Sequence, residues 1–186
     1  MSPAFPSAGI ESQSPASASH GPETSPPPSA PEPWGPFPVT ALQNRPDPDP
    51  LLTPGAIDPA VTQANIHQTI CVSGYTATVR PPESYTNHLK VQQIAQYGYT
   101  DTNLSDYEED HLISLELGGS ARDPSNLWPE PHVAALPDGT PVGSFVKDRI
   151  ENALHRAICS GQMSLADAQH AIATDWVSAW IAAGKP

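Results

Sequence analysis

Proline placement divides this chain before any other feature does. Most of its 24 prolines precede Leu51, in runs such as "SPPPSAPEPWGPFP" and "RPDPDP". Proline fixes φ and has no N–H to donate, so neither a helix interior nor a central strand can hold such runs. The same segment has few large apolar side chains among Pro, Ser and Ala. It cannot bury enough surface to offset its ordering entropy. Residues 1 to about 50 are therefore expected to be a disordered, partly polyproline-II tail. Such a tail serves as a passive linker or as a recruitment arm for a protein partner. From Leu51 to Pro186 the composition is globular, and roughly 135 residues suffice for one modest core.

Charge and cysteine content narrow the function. The formal net charge is −12, with only eight Lys and Arg in 186 residues. Proteins that grip nucleic acid through phosphates usually carry a basic face. A nucleic-acid substrate would therefore need a metal cation to supply positive charge, and tight sequence-specific binding is not expected. Cys71 and Cys159 lack the paired spacing of a zinc ribbon. They are either joined across a long loop or are two buried thiols. The bond is favoured, and it would imply an oxidising compartment, periplasmic or secreted. No long apolar run predicts a transmembrane helix. The start lacks a basic cluster followed by an apolar stretch, so no signal peptide is visible.

Along the folded part, "DPAVTQANI" reads as a short helix with Asp58 as N-cap and Pro59 at the first helical position. "SGYTATVRPP" alternates β-formers and reads as a short strand or extended arm. "SYTNHLKVQQIAQYG" reads as a helix with Leu89, Ile94 and Tyr97 inward and Gly98 as its stop. Tyr107 to His111 is the expected first strand. "LISLELGG" reads as a half-buried strand or extended turn-like segment, with Ile113, Leu115 and Leu117 on one side. Gly118-Gly119 permits a tight reversal, and "NLWPEP" returns as a short extended piece. A helix is predicted from about Ser144 to Cys159, with Ile150, Ala153, Leu154, Ala157 and Ile158 as its apolar stripe. Its other side carries Lys147, Asp148, Glu151, Asn152 and His155. "SLADAQHAIATDWVSAWIAAG" is a second helix, opened by Ser164 and Asp167 as a capping box.

One stretch carries candidate chemistry: "YEEDHLISLELGGSARDPSNLWPEP", Tyr107 to Pro131. Hydrolysing a phosphodiester requires a group that takes a proton from water near pH 7, which suits a neutral histidine. It also requires positive charge at the phosphate and the departing oxygen, which suits a divalent cation. Neighbours on a strand point to opposite sides. Asp110 and His111 can thus share one task only where the strand twists or ends.

The order "DHLISLELGG…SNLWPEP" resembles the HNH endonuclease family, over Glu109 to Pro131. The region from Thr53 to Trp180, with "KDRIENALHRAICSG", is also similar to a group of small bacterial proteins with an HNH-like core. The resemblance implies an α+β domain with a ββα-metal core and flanking helices. It implies a metal-dependent endonuclease of little sequence specificity, acting on DNA or RNA with Mg²⁺ or a similar ion. His111 falls on the family's general base, Asp110 on its metal ligand, and Asn126 on the Asn that braces the loop. The usual helix ligand soon after "NL" is missing. His155 and Asn152 are preferred for it, with Asp148 and Glu151 close behind. The family's zinc-binding cysteine pairs are absent, and a Cys71–Cys159 bond would brace the helix instead. The rival reading is a non-enzymatic secreted module on a nuclease-like scaffold, its acidic surface suited to a basic protein partner.

Overall fold

The computed structural model describes residues 46–186, a mixed α+β arrangement. The expected tail and its role as an interaction arm lie, for residues 1–45, outside the described residues. Residues 46–50 belong to the folded part: the Trp176 indole donates to the Pro46 carbonyl at 3.3 Å.

Two strands make the sheet that matters. Strand β1 (Tyr107–His111) pairs antiparallel with β2 (Leu127–Pro131), His111 lying opposite Leu127 and Tyr107 opposite Pro131. Pro129 and Pro131 lack N–H donors, so β2's outer edge cannot extend the sheet. A much shorter pair follows, β3 (Ala134–Ala135) with β4 (Pro141–Val142). The connection between β1 and β2 is not a longer strand. Leu115–Leu117 forms a 3₁₀ turn, and Gly118 closes it at φ +75°. The expected one-sided alternation is lost in that turn, because Leu112 and Ser114 are buried along with Ile113, Leu115 and Leu117.

Four helices surround the hairpin. Helix α1 (Tyr75–Val79) replaces the strand expected from its β-forming residues. Gly74 enters it at φ +82°, Pro81-Pro82 ends it, and it packs on the Leu115–Leu117 turn. Packing outweighs weak intrinsic preference in so short a segment. The "DPAVTQANI" helix is also displaced: a 3₁₀ turn runs over Gln63–Gln68, and Asp58 caps only its own turn by accepting from the Ala60 N–H. Helix α2 (Glu83–Gln96) buries Leu89, Gln93 and Ile94 and gives way to Gly98 at φ +67°.

Helix α3 (Ser144–Cys159) has the predicted bounds. Its apolar stripe meets α4 (Leu165–Ala182), opened by Ser164, whose side chain accepts from the Asp167 N–H. Their shared core includes Ile150, Leu154, Ile158, Ala168, Ile172 and Trp176. Trp128, Trp176 and Trp180 are all buried. A disulfide joins Cys71 to Cys159 and ties the end of α3 to the segment before α1. Among the described residues no helix is long and apolar enough to cross a membrane.

Candidate active site

Asn126 organises the end of the hairpin. Its side chain is fully buried, and its Oδ1 accepts from the N–H groups of Ile113 at 3.0 Å and Ala56 at 3.3 Å. Its Nδ2 donates to the carbonyls of Ile113 and Ser120 at 3.0 and 3.1 Å. All four hydrogen-bonding positions of the amide are used. Gly119 makes this approach feasible: a Cβ there would lie 1.7 Å from the Ile113 carbonyl oxygen and 2.9 Å from Nδ2.

The braced loop holds the histidine. His111 Nε2 lies 3.1 Å from the carbonyl oxygen of Ala121, the residue after Ser120. A carbonyl can only accept, so Nε2 carries the proton and the neutral ring keeps its lone pair on Nδ1. Nδ1 makes no hydrogen bond among the described residues. Burial holds the His111 proton affinity below the ordinary histidine value, although the Asp110 charge works against it. The imidazole is therefore in its base form at neutral pH.

His111 lines a cleft of about 430 Å³ with Arg80, Glu83, Lys90, Glu109 and His132. The ammonium of Lys90 is committed to the Tyr107 and Leu104 carbonyls at 2.7 and 3.2 Å. Arg80 is exposed and close enough to influence both His111 and Asp148. It is the cleft's freely available guanidinium. His132 is positioned by Ser144 Oγ, 2.8 Å from Nδ1, and by stacking on Phe145.

Asp110 points to the other side of β1, toward α3. There it meets Lys147, which is fully buried. The Lys147 ammonium donates to Asp110 Oδ2 at 2.5 Å, to the His111 carbonyl at 2.9 Å and to Glu151. Its three donors are thereby used. Burial pushes the Asp110 carboxyl up, but the Lys147 charge and hydrogen bond outweigh it and leave it below the usual range. Burial disfavours the Lys147 charge, yet Asp110 and Glu151 more than restore it. Glu151 is pushed up to about 8, chiefly by burial, with Asp110 adding like charge. Glu130, fully buried beside Asp110, is likewise held well above the ordinary carboxyl value, by burial and then by the Asp110 charge.

The predicted helix ligands part company here. Glu151 is at Asp110 but turned onto the ammonium. Asp148 is exposed and near Asp110. Asn152 is exposed and donates back to the Asp148 carbonyl. His155 lies two turns further along, its Nε2 on the Ile70 carbonyl at 2.8 Å. Lys147 and Glu130 were not anticipated as parts of this cluster. The Lys147/Glu151 spacing of four was the available signal, but it reads equally as a wet helix face.

The donor set suits a hard cation that uses few protein ligands. Glu108 and Asp148 both hold their protons more tightly than usual, first through burial and then through the charge of Asp110. Lys147 and His132 offset part of that charge at both carboxyls, and Arg80 does so at Asp148. Among the described residues, no three His, Cys, Asp or Glu ligand atoms here lie within 4.8 Å of one another. Mg²⁺ commonly binds one or two carboxylates and takes its remaining ligands from water and substrate phosphate. Asp110 and Asp148 fit that role.

No family model, curated protein or solved structure matches this chain.

Proposed function

We propose that this protein hydrolyses phosphodiester bonds in nucleic acid, with His111 as general base on an HNH-like ββα core. The observation that carries the reading is the imidazole of His111. Its Nε2–H is tied to a braced carbonyl, its Nδ1 is free, and it lines a cleft that also contains Arg80. The antiparallel hairpin β1–β2, tied to helix α3 through Lys147, supports the reading.

His111 Nδ1 takes the proton from an attacking water. Arg80 holds a phosphate oxygen as a charge-assisted donor and offsets the acidic surroundings. Asn126 fixes the loop that fixes the ring, so the base keeps one orientation. Asp110, with Asp148 near it, would hold a Mg²⁺-like ion, which would supply positive charge for the phosphate and the leaving oxygen. Lys147 is sealed from the cleft and acts by positioning Asp110.

Plasmid DNA and a structured RNA, each incubated with wild type and His111→Ala with and without EDTA, test the proposal. Wild type should cleave at least one of them, and chelation should stop it. His111→Ala should lose about 10²–10⁴-fold in rate while keeping the wild-type circular dichroism. Equal, chelator-insensitive digestion by both proteins would overturn the assignment. The net charge of −12 favours one alternative, a module that binds a basic protein. Absence of cleavage and of divalent-ion binding, together with a stable complex with a basic partner, would select it.

A further inference from the structure

The structure carries a second cluster of metal-ligating side chains, at the far end of α3 from Lys147. Cys71 Sγ, Cys159 Sγ and a ring nitrogen of His155 all lie within 4.8 Å of one another. His155 was preferred as the helix ligand beside Asp110, but the fold places it here. Its Nε2 donates to the Ile70 carbonyl at 2.8 Å, which fixes the tautomer and leaves the Nδ1 lone pair available. Metal-binding histidines are held in this manner, one nitrogen on a carbonyl or carboxylate and the other on the ion. Nδ1 also lies 3.7 Å from Glu116 Oε2. The other carboxylate oxygen, Glu116 Oε1, is buried without a hydrogen-bond partner. The group opens to solvent through a cavity of about 300 Å³ lined by Cys71, Tyr75, Glu116 and His155.

We propose that Cys71, Cys159 and His155 hold a zinc ion when the disulfide is reduced. Two thiolates and one imidazole are ligands of the kind Zn²⁺ prefers, with water completing a four-coordinate set. The disulfide and the ion are mutually exclusive occupants of one place. A dithiol reductant gives two electrons and two protons to the Cys71–Cys159 bond and becomes a cyclic disulfide itself. This leaves two thiols, and Zn²⁺ then displaces their two protons as it binds the sulfurs. The ion joins the same two segments as the covalent bond, so α3 stays tied to the chain before α1 in either redox state. This site is independent of the His111 cleft, and neither proposal rests on the other.

The full chain, oxidised or reduced anaerobically with a dithiol that is then removed, is titrated with Zn²⁺ and separately with Co²⁺. Thermal unfolding of each sample is followed in parallel. The reduced protein should bind one ion per chain, and its Co²⁺ form should show thiolate-to-cobalt charge-transfer absorption that the oxidised protein lacks. Zn²⁺ should raise the melting temperature of the reduced protein above its value in EDTA. His155→Ala, which keeps both thiols, should weaken Zn²⁺ binding by about tenfold or more. Absence of the thiolate absorption, equal binding by His155→Ala, or a reduced protein whose melting Zn²⁺ does not change would each overturn the proposal. Should reduction unfold the chain, refolding on Zn²⁺ addition supports it, and failure to refold overturns it.

Discussion

Glu109 shows how one side chain can set a pH dependence for the whole protein. It shares a face of β1 with His111, and both of its carboxylate oxygens are buried without a hydrogen-bond partner. Burial pushes its carboxyl from the ordinary 4.5 up to about 8, although Lys90 pulls the other way. In the unfolded chain this group has lost its proton well below pH 7. Between about 4.5 and about 8 the folded protein keeps a proton that the unfolded chain releases, so stability falls as pH rises through that window. Glu109→Gln imitates the protonated form. It should be close to neutral at pH 5 and stabilising by about 1–3 kcal/mol at pH 8, as read from urea midpoints. An equal effect at both pH values would show that Glu109 is solvated in the folded protein. His111 behaves oppositely, because its folded proton affinity is depressed by burial. Stability gained from its neutral form is present above the ordinary histidine range and is lost as pH falls through it.

Helix α3 and strand β1 are joined by charge rather than by an apolar seam at this point. Lys147 satisfies Asp110, Glu151 and the His111 carbonyl from a single ammonium. A buried ion cluster contributes little net stability when complete, but removing one partner leaves uncompensated charge. Lys147→Met should therefore cost about 3–5 kcal/mol, measured by chemical denaturation. Adding Asp110→Asn and Glu151→Gln should recover part of that loss, since the three positions are coupled. A Lys147→Met protein as stable as wild type would mean the ammonium is hydrated in solution. The same element explains a misreading of the helix. Helical periodicity separates an apolar stripe from a polar face, and here the polar face is itself divided. Lys147 and Glu151 turn into the protein, while Asp148 and Asn152 face water. Residues one position apart on the helix differ by about 100° in direction, enough to separate a clamp from a wet side chain.

At the level of the whole molecule, the Cys71–Cys159 bond closes a loop with a sequence separation of 88. In the chain-entropy picture a loop of that length stabilises the folded state by about 4–5 kcal/mol. Reduction in the presence of EDTA should lower unfolding stability by that order, as a drop in both melting temperature and urea midpoint. A reduced, chelated protein with unchanged midpoints would show that the segment before α1 is already compact in the unfolded chain. The bond is consistent with folding in an oxidising environment.

Much of the architecture was legible in the residues themselves. Apolar periodicity and the flanking glycines marked α3 and α4, and the run from Tyr107 to Pro131 marked a hairpin with a double glycine at its turn. Those elements depend on local geometry, which a short stretch of chain encodes by itself. The brace at Asn126 was implied only by the resemblance, and one of its four hydrogen bonds comes from Ala56, 70 residues away. The helix at Tyr75–Val79 was not legible, because packing against a turn 40 residues away decides it. Nor was the separation of His155 from Asp110, or the capture of Lys147 by two carboxylates. Those outcomes depend on which distant elements meet each face of α3. Burial and charge compensation are properties of the assembled interior, and no spacing along the chain records them.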